Sequence, residues 1–163
     1  MDAGLLLARM VIGLLFAAHG AQKLFGWFGG YGLAGTGNFM DQMGFRPGRA
    51  QALAAGVGEL GAGLFLAAGL LTPAAAAVLV AVMLVAGFGV HRKGGFFAQG
   101  GGYEYTLVLG AVALSLAFTG PGALSLDRAL GFELSGAAWG LVALAAGVLG
   151  GTVPLVTRRP VQA

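Results

Sequence analysis

Glu59, His19, Lys23, His91 and Glu104 are the side chains in this sequence with chemistry to offer, because each lies within or at the edge of a long apolar stretch. An ionisable group at bilayer depth costs about 2.5 to 3.5 kcal/mol on insertion scales, so each marks a functional site by default. His19 stands about 9 Å from the inner end of the first stretch at 1.5 Å of rise per residue, and Glu59 about 13 Å into the second from the same side. Lys23, His91 and Glu104 lie near the corresponding ends of the first, third and fourth stretches. His19 and Lys23 are i and i+4 and share a helix face. Gly56 and Gly63 leave small residues on either side of Glu59 along its own face.

A carboxylate, two imidazoles and an ammonium in a low-dielectric pocket can hold a polar oxygen and move protons. The expected roles are proton handling by Glu59 and His19, with Lys23 orienting an anionic or carbonyl oxygen. The expected substrate contacts are His91, Glu104, Tyr103 and Phe16. Each has a plainer alternative. Lys23 can snorkel to headgroups, Glu59 can be an interhelical lock with Lys23 or His19, and His91 can be solvated in the basic run His91-Arg92-Lys93. Glu104 between Tyr103 and Tyr105 can mark an interface. No cofactor is assigned, although a quinone fits as substrate. Haem is disfavoured because bis-His ligation needs both imidazoles at one depth, whereas His91 lies a turn and a half or more nearer the inner surface than His19. Cysteine is absent, which removes thiolate metal sites and CxxC relays, and no metal site is assigned.

On the opposite side, Arg9 and Asp127 form a structural polar pair, read as a salt bridge or as an arginine clamp on carbonyls that closes the bundle. P-loop, GxSxG, HExxH and dinucleotide motifs are absent, which disfavours hydrolase and nucleotide chemistry.

These residues need elements to hold them, and the composition says which kind. The chain has 163 residues, 58% hydrophobic and 9% charged, with mean hydropathy +0.87. Soluble domains are about 25% charged, so the solvent here is mostly lipid. Nine Lys and Arg against six Asp and Glu are too few and too scattered for a nucleic-acid surface. Apolar runs near the ~20 residues of a membrane span predict helices over 5–25, 50–71, 73–90, 103–119 and 137–156. The fold class is therefore all-α, a polytopic membrane bundle of four core helices in 1–136 plus a fifth C-terminal one in 137–163 with a short basic tail. Only Leu71, Thr72 and Pro73 join the second and third spans, which predicts a tight antiparallel hairpin.

Lys23, Arg46, Arg49, Arg92, Lys93, Arg158 and Arg159 fall on one side, Arg9 and Arg128 on the other. By the positive-inside rule the N-terminus is outside and the C-terminus cytoplasmic in a multi-pass plasma (inner) membrane protein. In the interfacial loop 26–49, Thr36 is expected to cap a short helix running to Met43, either flat on the interface or as a lid over a pocket. Trp27, Phe28 and Tyr31 read as interface anchors. The small residues Ala143, Gly147 and Gly151 repeat every four positions in the fifth span, for packing within the subunit or against a second copy; a homodimer through this face is the expectation.

The segment Arg9, Gly13 and Phe16-Ala17-Ala18-His19-Gly20-Ala21-Gln22-Lys23-Leu24-Phe25-Gly26 resembles the opening of DoxX family membrane proteins. Also similar are Gly35-Thr36-Gly37-Asn38-Phe39, Met43-Gly44-Phe45, the run Gly58 to Leu64, Gly69-Leu70-Leu71-Thr72-Pro73, Gly100 to Tyr105, and Gly120-Pro121-Gly122 with Ser125-Leu126-Asp127. The resemblance implies a four-helix membrane bundle associated with quinone-linked oxidation and with quinone, catechol or oxidative stress. The span at 137–156 goes beyond that pattern. Three functions are expected in descending order: a membrane subunit of a quinone-linked oxidoreductase, an anchor for a soluble redox protein at the cytoplasmic face, and a carrier of small solutes or lipids.

Overall fold

A computed structural model describes residues 1–159. Its helices are α1 (Asp2–Phe25), α2 (Gly32–Gln42), α3 (Gly48–Ala68), α4 (Thr72–Gly89), α5 (Glu104–Thr119), α6 (Leu126–Ala129) and α7 (Ala137–Thr157). Among the described residues there is no strand, and the all-α membrane bundle read from the sequence is the observed fold. Helices α1, α3, α4 and α7 are long and apolar enough to cross a membrane. Helix α5 is apolar but has 16 residues, about 24 Å of rise against a hydrocarbon core of about 30 Å.

Large apolar side chains such as Leu7, Val11, Leu53, Val57, Leu141 and Val148 point outward, while glycine and alanine dominate the buried faces. That suits a solvent as apolar as leucine, in which close packing rather than water exclusion holds helices together. Antiparallel α1 and α3 meet backbone to backbone. A Cβ on Gly13 would sit 2.5 Å from the Gly63 carbonyl oxygen, and one on Gly20 would sit 2.6 Å from that of Gly56. Phe16, Leu66, Leu79, Leu109 and Leu116 fill the centre of the bundle.

The small face of α7 is turned inward. Gly140, Ala143, Gly147 and Gly151 are buried, and a Cβ at Gly147 would lie 2.7 Å from Val80 Cγ1 and 3.0 Å from the Ala77 carbonyl oxygen of α4. The expected dimer seam is thus an intrasubunit seam, because α4 supplies the matching surface. Gly147→Ile is expected to cost about 2 kcal/mol of stability by overpacking, read as a lower melting temperature in detergent with unchanged particle mass. A fall in mass without loss of stability would restore the dimer reading.

Helix α2 also differs from expectation. It begins at Gly32 rather than at a Thr36 cap, so Thr36 is a buried mid-helix residue. Gly26 ends α1 in the left-handed conformation at φ 74°. The turn Trp27–Gly29 then folds back so closely that Gly30 lies against Gln22, and helix resumes about five residues early, with Tyr31 rather than Thr36 at its cap position. The α3–α4 hairpin is as tight as expected, with Gly69 at φ 65° and Leu71 at φ 46°.

Candidate functional site

Backbone contact between α1 and α3 sets the site. Helical side chains lean toward their own N-terminus, so on antiparallel neighbours Lys23 and Glu59 lean toward each other. Lys23 Nζ donates to Glu59 Oε2, and this is the one ion pair within 4.0 Å among the described residues. The Glu59 side chain is 3% exposed and that of Lys23 is 24%. An ammonium is the partner that lets a carboxylate remain at this depth.

The pair borders a cavity of about 300 Å³. Thr36, Phe39 and Met40 of α2 cover it, Val82, Val85 and Ala86 of α4 form one wall, and Gly150 and Pro154 of α7 form another. Pro154 has no N–H to give the carbonyl of Gly150, so a backbone acceptor without its helical donor stands in the α7 wall. Lys23, Thr36 and Phe39 also border a wider, open cleft of about 620 Å³ lined by Gln22, Tyr31, Asn38 and Gln42. Lys23 therefore stands between the cavity and an open cleft that carries the side-chain amides of Gln22, Asn38 and Gln42.

Helix α2 is fastened over the cavity from two directions. Asp41 Oδ1 accepts from the Gly48 N–H at 2.8 Å, capping the start of α3. Arg158, just past α7, donates through Nη1 to the Gly89 carbonyl at 3.2 Å and through Nε to that of Met43, with its guanidinium 5.2 Å from the Phe45 ring centre. The Arg159 N–H reaches the Gly44 carbonyl.

The DoxX family model matches residues 4–92, from the first turn of α1 through the end of α4. Inner membrane protein YqjF of Escherichia coli (strain K12) is 35% identical over 132 residues, covering 79% of this chain and 93% of that protein. The chain belongs to the DoxX family. No solved structure matches it. With four helices long and apolar enough to cross a membrane, this DoxX chain is a multi-pass membrane protein.

The remaining residues singled out in the sequence divide among several places in the DoxX bundle. His91 lines the cavity, and its Nδ1 donates to the Gly101 carbonyl at 3.0 Å, which leaves Nε2 available. His19 does not line it. Gln22 Nε2 donates to the Phe28 carbonyl, so Gln22 Oε1 receives His19 Nδ1 at 3.0 Å while the imidazole meets Tyr105 edge-on. Phe16 is 0% exposed in the central core. Glu104 Oε2 accepts from the Ala98 N–H at 2.9 Å and braces a turn, while Tyr103 packs on Phe96 beside a separate groove.

At the far end, Arg9 donates through Nη1 and Nη2 to the carbonyls of Pro121 and Leu124 at 2.6 and 2.5 Å. Asp127 instead accepts from the Leu71 N–H at 2.7 Å and from the Thr72 N–H and hydroxyl at 3.1 and 2.8 Å. Of the two expected forms of this pair the carbonyl clamp is the one present, and among the described residues Arg9 and Asp127 form no ion pair within 4.0 Å. Sequence reasoning gave no binding role to Thr36, Gln51, Gly150 or Pro154, all of which line the cavity. A proline within an apolar span, four residues after a glycine, was the available signal.

Proposed function

We propose that this chain is a membrane subunit of a quinone-linked oxidoreductase or redox-stress system, with a quinone headgroup in the cavity beside Lys23 and Glu59. The observation that carries this reading is an ion pair with a buried carboxylate at the border of a largely apolar cavity, with a cleft lined by Gln22, Asn38 and Gln42 on the other side of the same lysine. Reduction of a quinone to a quinol consumes two electrons and two protons. The electrons are supplied by an associated redox protein, and the part of this chain, which has no cysteine for a dithiol relay, is binding and proton handling. Lys23 donates a hydrogen bond to a quinone carbonyl, Glu59 balances the lysine charge and relays a proton, and the cleft beside Gln22 and Gln42 connects the pair with water. The orientation follows the positive-inside rule, with the N-terminus outside and the cavity in the cytoplasmic half. The inner membrane fits as the location because the E. coli relative is named for it.

Purified protein is expected to bind a ubiquinone or menaquinone analogue saturably, and Glu59→Gln to weaken binding about tenfold, or ~1.4 kcal/mol. Fluorescence quenching titrations measure both. Failure of both headgroups to saturate removes the proposal. A second reading, an anchor for a soluble redox protein, draws on the exposed basic turn at Arg92 and Lys93. In that case charge reversal at the turn releases a co-purifying redox protein that Glu59→Gln leaves bound.

A further inference from the structure

A groove of about 410 Å³ runs between α4 and α5 and shares no residue with the Lys23–Glu59 cavity. Its walls are mostly aliphatic, with Phe88 and Tyr103 also lining it, and its base is made by small residues. A Cβ at Gly87 would sit 3.0 Å from Thr106 Oγ1, and one at Gly110 would sit 3.4 Å from Met83 Cβ. The Thr106 hydroxyl is already satisfied by the Tyr103 carbonyl at 2.8 Å. From Tyr103 to Leu114 the groove follows about 16 Å of helix rise, which is about half the ~30 Å hydrocarbon thickness. It is one leaflet deep. The one charged residue lining it is Arg92, at the end where α4 leaves the bilayer, and Lys93 follows it in the same exposed turn.

We propose that this groove holds an anionic phospholipid of the adjoining leaflet, one acyl chain between α4 and α5 and the phosphate on Arg92. The aliphatic walls take the chain. The planar guanidinium takes phosphate oxygens in a two-pronged hydrogen bond, and its fixed positive charge at the groove's end favours a headgroup with net negative charge. Tyr103 at the rim places an amphipathic ring at headgroup level.

Native mass spectrometry of the full chain tests this, using phosphatidylglycerol and phosphatidylcholine with matched acyl chains. Phosphatidylglycerol is expected to be retained about fivefold better, the preference that one basic residue contributes at an anionic lipid surface. Arg92→Gln, at an exposed position, is expected to equalise the two lipids. Ala111→Phe, also at an exposed position, places a ring in the groove and is expected to lower retention of both. Excess inorganic phosphate is expected to displace neither. Equal retention of the two lipids by the unmodified protein, a preference that survives Arg92→Gln, or displacement by phosphate overturns the proposal.

Discussion

Lys23→Met is expected to lower the unfolding free energy by about 3 kcal/mol, the low end for breaking a buried ion pair because the lysine remains partly exposed. Glu59, almost fully enclosed, then keeps a carboxylate with no ammonium beside it. Adding Glu59→Gln removes that uncompensated charge, so the double variant is expected to be less damaged than the sum of the single losses, by about 2 kcal/mol of coupling. Denaturation of the four proteins in one detergent measures the cycle. Strict additivity would show that the two groups do not stabilise each other and that Glu59 depends on His19, His91 or water.

Asp127→Ala is expected to cost about 4 kcal/mol, because three donors of the α3–α4 turn lose one carboxylate and a buried donor left unmatched costs about 1 to 3 kcal/mol. The same carboxylate helps hold Leu71 in a left-handed conformation that a branched side chain resists. Asp127→Asn, which keeps one carbonyl oxygen, is expected to recover about half of the loss. The neighbouring Arg128 is exposed, so Arg128→Ala serves as a control with an effect within about 0.5 kcal/mol. Equal melting temperatures for Asp127→Ala and Arg128→Ala would show that the turn needs no such anchor.

The parts of this bundle legible in its sequence are those written in local periodicity and cost. Apolar runs long enough to cross a bilayer announced the spans, and the expense of a carboxylate at depth drew attention to Glu59. Side-chain type did less. An aromatic in a pocket and an aromatic in a core have the same signature, so Phe16 read as a substrate contact although it fills the centre of the bundle. Contacts between distant segments have no local signature either. Nothing near Asp127 states that its oxygens serve a turn 55 residues earlier, and nothing near Gly147 states that α4 carries the complementary surface. The start of α2 was hidden by a turn whose geometry depends on where Gly30 meets Gln22.

The α7 wall of the cavity has a consequence for biogenesis. Ribosomal synthesis runs from N- to C-terminus, so Lys23, Glu59 and the α2 segment are made well before Gly150, Pro154 and Arg158. Until α7 is made, the cavity lacks the wall that Gly150 and Pro154 form, and the carbonyls of Met43 and Gly89 lack the guanidinium that bridges them. The chamber around the ion pair is thus sealed late, by a helix outside residues 4–92 where the family signature lies.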